Sequence, residues 1–464
     1  MKHQFLKRNG DNTLLLLFAG WGMDTRPFAG LADLPSDVAV AYDYSDRNFE
    51  NLSIKGYDNL LVIAWSFGVF AASRWMQTSQ VKPAVAIAIN GTPMPVDDRK
   101  GIPHRIFNAT LDNLSENSLL KFYARMCGSR QACDAFLQQR PERSVESLRE
   151  ELEAIRDEAA ATPAPENGWD KAYVALNDRI IPPDCQKCFW SEADVAFLEI
   201  DDAHLPALFN DIVRTSLVDK DLVKQKFEAA WDTYDRFALP QRIIAGRLLE
   251  KWKAADSRKG CSVYEIGCGT GLFTKLYVPE MQPQELCLND ISRVPEQEFE
   301  QLHLPYTLFI ADGECNYPER TFDRIVSASA MQWFENIPRF LTSAASLLNP
   351  DGLLVLSTFA ADNLVELHQA SPFSLNYLSP ARWEEALDSA GFTPLEISDE
   401  KIQMTFDSHL DLLRSLKQTG VNGLQTPHQS PVKMASTLAR TLPRTEEGAC
   451  QLTYNPLFII AKKK

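Results

Sequence analysis

Residues 263–271 read Val-Tyr-Glu-Ile-Gly-Cys-Gly-Thr-Gly and run on into the helical stretch Leu-Phe-Thr-Lys-Leu-Tyr-Val. An apolar run that stops on alternate glycines and resumes as a helix is a strand–turn–helix unit. It commits the chain around it to a parallel sheet covered by helices, because parallel strands need a crossover of helix length. The spacing is G-x-G-x-G, with Leu272 where the dinucleotide fingerprint G-x-G-x-x-G has its last glycine. Gly267, Gly269 and Gly271 let backbone approach a ligand closely, and Glu265 stands two positions before the first of them. The next strands end on acids. "ELCLND" closes on Asp290, suited to two ribose hydroxyls, and "YTLFIAD" closes on Asp312-Gly313, suited to an adenine amine or to a plain turn.

At 464 residues the chain exceeds one ordinary core, so two domains are expected. The fold class read from the sequence is α/β, with two doubly wound domains. In the first, residues 1–216, the runs "NLLVIAW" (59–65), "AVAIAI" (84–89), "AYVAL" (172–176) and "VAFLEI" (195–200) read as strands. Residues 104–166 break this rhythm as a helical insertion, closed by the Pro-rich loop "TPAPENG" (162–168). The boundary is expected near 216–222, and the second domain spans 220–464, opening on a long helical preface. Its tail "CQLTYNPLFIIAKKK" reads as a strand pair joined at Asn455-Pro456.

The strand "LLVIA" runs into "WSFGV" (65–69) and then a helix, the arrangement of a nucleophile elbow at Ser66. Ala64 stands where such elbows usually carry glycine, and a serine here also suits a helix cap. Asp178, after "AYVAL", and His204, after "VAFLEI", supply the rest of a triad in the order Ser-Asp-His. Asp201 and Asp202 neighbour His204, but Asp178 has the better loop position. An oxyanion hole needs two backbone N–H donors. Phe67 follows the serine, and Trp21 lies in the Gly-Trp-Gly turn that ends the apolar run at 14–18.

That run is too short to span a bilayer, and it lacks the small-x-small cleavage site of an export signal. The expected location is therefore cytoplasmic. The 47 basic and 62 acidic residues give a net charge of −15, which disfavours nucleic acid and membrane surfaces as partners. The nine cysteines are scattered and read as reduced thiols. Cys185 and Cys188 have metal-ligand spacing, but without a second pair nearby they read as two positions on a helix, so no metal is expected.

The motifs carry two family resemblances. "FAGWGMD", "WSFGV" and "NGTPMPVDD" (90–98) resemble the pimeloyl-acyl-carrier-protein methyl ester esterases of biotin synthesis, which are α/β-hydrolases. "EIGCGTG" resembles the loop of class I S-adenosylmethionine methyltransferases. With "TYDRFALPQR", "SASAMQWFEN" and "LKQTGVN" (416–422) the second half resembles the malonyl-acyl-carrier-protein O-methyltransferases of the same pathway. The resemblance implies S-adenosylmethionine as cofactor, acyl carrier protein as partner, and a methyl ester made by one half and removed by the other. A generic carboxylesterase fused to a small-molecule, quinone-type methyltransferase is the alternative.

Tyr234, Gln332, Trp333 and Arg414 are candidates to orient the methyl acceptor, with core packing open for the aromatic ones. An acidic carrier needs a local basic face, and Lys121, Arg125, Arg130, Arg140 and Arg143 of the insertion offer one. Leu119, Leu120, Phe122, Tyr123 and Met126 are expected to cover an acyl chain above Ser66. Segment 423–448 matches no recognisable motif.

Overall fold

The computed structural model describes residues 1–46, 52, 54–161, 168–294, 296–368, 375–419, 442, 444 and 448–464. The chain forms two compact units, Met1–Arg214 and Thr215–Lys464. Of the Pro-rich loop at 162–168 only Gly168 is described, and Gly420, Val421 and Asn422 of the late motif, like most of 423–448, lie outside the described residues.

The first unit is built on seven strands: β1 (Lys2–Lys7), β2 (Thr13–Phe18), β3 (Asp37–Tyr42), β4 (Asn59–Trp65), β5 (Val85–Ile89), β6 (Lys171–Ala175) and β7 (Phe197–Ile200), ordered β1-β3-β2-β4-β5-β6-β7. β2 to β7 are parallel and β1 is antiparallel to β3. Every residue of β2 is buried, as a parallel strand covered on both faces requires. The sequence reading omits β1 and β3. β1, "KHQFLK", is a half-exposed edge whose polar residues hide it. β3, "DVAVAY", is rich in alanine, which has little strand preference.

Helix α1 (Phe67–Ser79) follows β4 directly. Between β5 and β6 come four helices, α2 (His104–Asp112), α3 (Glu116–Cys127), α4 (Arg130–Gln138) and α5 (Val145–Ala161). Ser115 and Ser129 cap α3 and α4 by accepting backbone N–H bonds from Ser118 and Ala132.

The second unit holds β8 (Ser262–Ile266), β9 (Glu285–Asp290), β10 (Tyr306–Ile310), β11 (Phe322–Ala328), β12 (Leu348–Phe359), β13 (Phe392–Asp399), β14 (Ile402–Phe406), β15 (Cys450–Tyr454) and β16 (Pro456–Lys463). Seven of them order as β10-β9-β8-β11-β12-β16-β13, with β16 antiparallel to both neighbours. The tail is not a hairpin. β15 pairs with β14 in a separate two-stranded sheet, and β16 enters the main one. Asn455 stands at the change of sheet, its side chain donating to Asp399 at 2.9 Å, while Pro456 has no N–H to continue a ladder. The helical preface is also two helices, Lys220–Phe237 and Leu239–Ala255, interrupted at Ala238 just before Pro240.

Both sheets place their chemistry-bearing residues at the carboxyl ends of parallel strands, where ligands of open α/β sheets bind. Among the described residues no helix is long and apolar enough to cross a membrane.

Candidate functional sites

In the first unit Ser66 sits between β4 and α1 with φ of 58°, a strained conformation for a non-glycine residue. Gly68 makes the turn possible, since a Cβ there would lie 2.1 Å from the Phe18 carbonyl oxygen. His204 Nε2 is 2.9 Å from Ser66 Oγ, and His204 Nδ1 is 2.7 Å from Asp178 Oδ2. All three residues are buried. The other oxygen of Asp178 accepts the N–H groups of Ile180 and Ile181, and Gln186 Nε2 donates to Oδ2 at 2.9 Å. The His204 carbonyl accepts from Trp65 Nε1 at 2.7 Å and from Asn90 Nδ2 at 2.9 Å. Gln186 and Asn90 escape sequence reasoning, although Asn90 opens one of the family-like motifs.

Among the described residues the backbone N–H groups of Trp21 and Phe67 have no protein acceptor. Trp21 is fixed from the insertion: its Nε1 donates to the Leu148 carbonyl at 2.9 Å, and its ring meets Phe122 edge-on at 5.1 Å. Gly22 N–H donates to Glu151 Oε2 at 3.1 Å and Tyr44 N–H to Oε1 at 3.0 Å. Arg143 bridges Glu151, at 2.6 Å, and Asp43, at 3.0 Å, with its side chain 7% exposed. Arg143 therefore cannot belong to a docking face. It is the counter-ion of a buried carboxylate.

Ser66, Trp21 and Phe67 line a cavity closed by Ile102, Ile106, Phe107, Phe122 and Leu152, with Arg125 and Arg179 also in its wall. Of the five residues expected to cover an acyl chain only Phe122 lines this cavity. Leu119, Tyr123 and Met126 are buried but are not in this wall, and Leu120 is 44% exposed. The apolar wall comes instead mainly from Ile102, from Ile106 and Phe107 of α2, and from Leu152 of α5. Lys121, Arg125, Arg130 and Arg140 remain exposed.

In the second unit Gly267, Gly269 and Gly271 all have positive φ, at 70°, 54° and 76°, so the turn demands glycine on conformational grounds. Gly269 N–H donates to Asp290 Oδ2 at 2.9 Å, and Ser292 donates to the other carboxylate oxygen through both N–H and Oγ. Burial pushes the Asp290 carboxyl up. A Cβ at Gly313 would lie 2.4 Å from Asn289 Oδ1.

One cavity gathers Gly267, Gly269, Asp290, Asp312 and Gly313 with Tyr234 and Trp333. Glu265 and Gly271 are not in its wall. Glu265 lies behind the turn, accepting from Thr274 Oγ1 at 2.7 Å and Tyr277 OH at 2.8 Å, and burial pushes its carboxyl up to about 7. Asp312 is held by Lys220 Nζ at 2.6 Å, and Lys220 also pairs with Glu314. Gln332 spends its amide N–H on the Ser329 carbonyl. Arg414 is exposed on the helix His409–Gln418, paired with Asp411 and outside the cavity.

Residues 1–216 match the family described as pimeloyl-ACP methyl esterase BioG, and residues 233–397 match a methyltransferase domain. The chain is 35% identical over 458 residues to the malonyl-[acyl-carrier protein] O-methyltransferase of Bacteroides fragilis (strain 638R), covering 97% of this chain and 93% of that protein. The protein of the same name from Porphyromonas gingivalis is 34% identical over 251 residues, 53% of this chain and 96% of its own length. The solved structure of BioG from Haemophilus influenzae is 34% identical, with a TM-score of 0.41, over 44% of this chain and 94% of that one. Fold and sequence together define an S-adenosylmethionine-dependent methyltransferase of class I type that carries a BioG domain ahead of it. The chain belongs to the malonyl-[acyl-carrier protein] O-methyltransferase family.

Proposed function

We propose that this chain carries two opposed activities on one carrier-bound substrate class. The second unit methylates the free carboxylate of malonyl-acyl carrier protein. The first, an α/β-hydrolase, cleaves the methyl ester of pimeloyl-acyl carrier protein. The observation that carries the esterase reading is the unbroken chain Ser66–His204–Asp178, at 2.9 and 2.7 Å, beside two undonated backbone N–H groups.

In that reading Ser66 Oγ attacks the ester carbonyl while His204 Nε2 takes its proton, and Asp178 fixes the imidazole. The N–H groups of Phe67 and Trp21 hold the oxyanion, each contributing roughly 10²–10³ in rate. Collapse expels methoxide, which leaves as methanol with the proton from His204. Water, deprotonated by His204, then frees the acyl group from Ser66 as a carboxylate.

In the second unit the glycine turn and the carboxylates of Asp290 and Asp312 fit S-adenosylmethionine. The turn presents bare backbone to the cavity, and the acids suit ribose and adenine. Bound there, the cofactor supplies an electrophilic methyl group on a sulfonium. The malonyl carboxylate is already ionised, so the chain need supply no general base, and its residues act by orientation and exclusion of water.

The test is direct. Purified protein should transfer a methyl group from S-adenosylmethionine to malonyl-carrier protein and release methanol from the pimeloyl methyl ester on the same carrier. Hydrolysis of free small esters with indifference to the carrier would replace this reading by a generic esterase.

A further inference from the structure

The methyltransferase cavity mixes two kinds of wall. Gly267, Gly269, Asp290 and Asp312 are cofactor candidates, whereas Phe227, Trp231, Tyr234, Trp333 and Phe334 make the rest largely aromatic. An anionic acceptor that enters such a space loses its hydration and needs replacement partners. Among the described residues the cavity has one cation in its wall, Lys220, and that ammonium is already committed to Asp312 and Glu314.

Two neutral donors stand uncommitted. Among the described residues the Oγ of Ser329 and the Nε1 of Trp333 are buried without a protein partner, and both residues line the cavity. Native structures satisfy almost every buried donor, so a pair of orphans in one wall points to a ligand. Ser329 is also held in place. Its φ is 57°, its N–H donates to the Ser357 carbonyl at 3.1 Å, and its own carbonyl accepts from Gln332 Nε2 at 2.6 Å. The next residue presses on the cofactor turn, for a Cβ at Gly267 would lie 2.5 Å from that of Ala330.

We propose that the acceptor carboxylate is received by the neutral donors Ser329 Oγ–H and Trp333 Nε1–H. This rests on the reading of the acceptor as a malonyl thioester. In the transfer a carboxylate oxygen forms a bond to the methyl carbon, the carbon–sulfur bond breaks, and its electron pair stays on sulfur. Positive charge on the sulfonium and negative charge on the carboxylate fade together. A cation on the carboxylate would favour the ground state over the transition state, whereas neutral donors orient the anion with a smaller penalty. They also release the neutral ester easily.

The variants are Ser329→Gly, which suits the left-handed backbone, and Trp333→Phe, which keeps an aromatic ring but removes the N–H. Each is expected to weaken malonyl-carrier protein about tenfold or more, in KM and in calorimetric Kd. Affinity for S-adenosylmethionine and for the carrier-bound methyl ester product should stay within about threefold. Melting temperatures check the fold of both variants. Wild-type turnover of malonyl-carrier protein tests the underlying reading separately. With that turnover present, unchanged affinity for malonyl-carrier protein in both variants overturns the proposal. So does an equal loss of cofactor affinity, which would assign the donors to the cofactor.

Discussion

Glu151 accepts the backbone N–H of Gly22 at 3.1 Å, tying the helical insertion to the turn that carries a candidate oxyanion donor. Trp21 is gripped from the same helix through the Leu148 carbonyl. The insertion is thus more than a cover over Ser66, because it sets the position of the turn. Glu151→Ala is expected to lower esterase kcat by on the order of tenfold to a hundredfold with little change in KM. Arg143 keeps Asp43 as its remaining carboxylate partner, so the variant is expected to fold with a lowered melting temperature. Steady-state kinetics below the melting transition separate the two effects. A fall in KM and kcat together with no loss of kcat/KM would count against positioning.

The two sites are built from separate sets of residues, so their activities should separate. Ser66→Ala is expected to abolish methanol release and leave methyl transfer near its normal rate. Asp290→Ala should do the reverse, raising the Kd for S-adenosylmethionine. Parallel assays of both reactions on both variants decide it, and intact hydrolysis in Ser66→Ala would refute the triad.

With Arg143 removed from the basic face, Lys121 and Arg125 are its best-placed members. Both are exposed and both line the groove beside the cavity at Ser66. Charge reversal at these two positions should raise KM for a carrier-bound ester and leave a free methyl ester unaffected. Equal effects on the two substrates would remove the docking idea.

Under the proposed function the esterase must spare the malonyl ester that the same chain makes, or the two activities run a futile cycle. The pimeloyl ester is longer by four methylenes, and burying them at about 0.8 kcal/mol each gives roughly 3 kcal/mol, about 200-fold in kcat/KM. Ile102, Ile106 and Phe107 form the apolar wall available for that contact. Ile106→Ser should narrow the preference, and a wild-type ratio below about tenfold would place discrimination elsewhere.

Glu265 gives a pH prediction. Its folded carboxyl is raised by burial from 4.5 to about 7, so the folded state binds the proton more tightly than the unfolded state. The associated stability is fully present below 4.5 and is lost as pH rises through about 7. Glu265→Gln keeps an oxygen for Thr274 and Tyr277, both of which donate to the same atom, Oε2. It should flatten the fall in melting temperature between pH 4.5 and 7. An unchanged pH profile would mean that the carboxyl is hydrated and ordinary. A large loss of cofactor affinity would return Glu265 to the binding site.

The amino-acid sequence by itself determined the strand-end positions of Ser66, Asp178, His204, the three glycines and Asp290. Buried parallel strands are continuous apolar runs, and the residue that ends each run marks the edge of the sheet where ligands bind. It also marked the break in rhythm that became the four helices α2 to α5. The tertiary structure alone decided which charges are surface and which are core. Arg143 looks like its neighbours Arg130 and Arg140 in the chain, yet it is buried against Glu151 and Asp43, partners 8 and 100 positions away. It alone split the tail at Asn455 into two sheets, committed Lys220 to Asp312, and left Ser329 and Trp333 with donors unspent among the described residues. Periodicity reports which way a side chain faces along its own element. Ion pairing and hydrogen-bond satisfaction depend on elements distant in sequence, and only the folded chain brings those together.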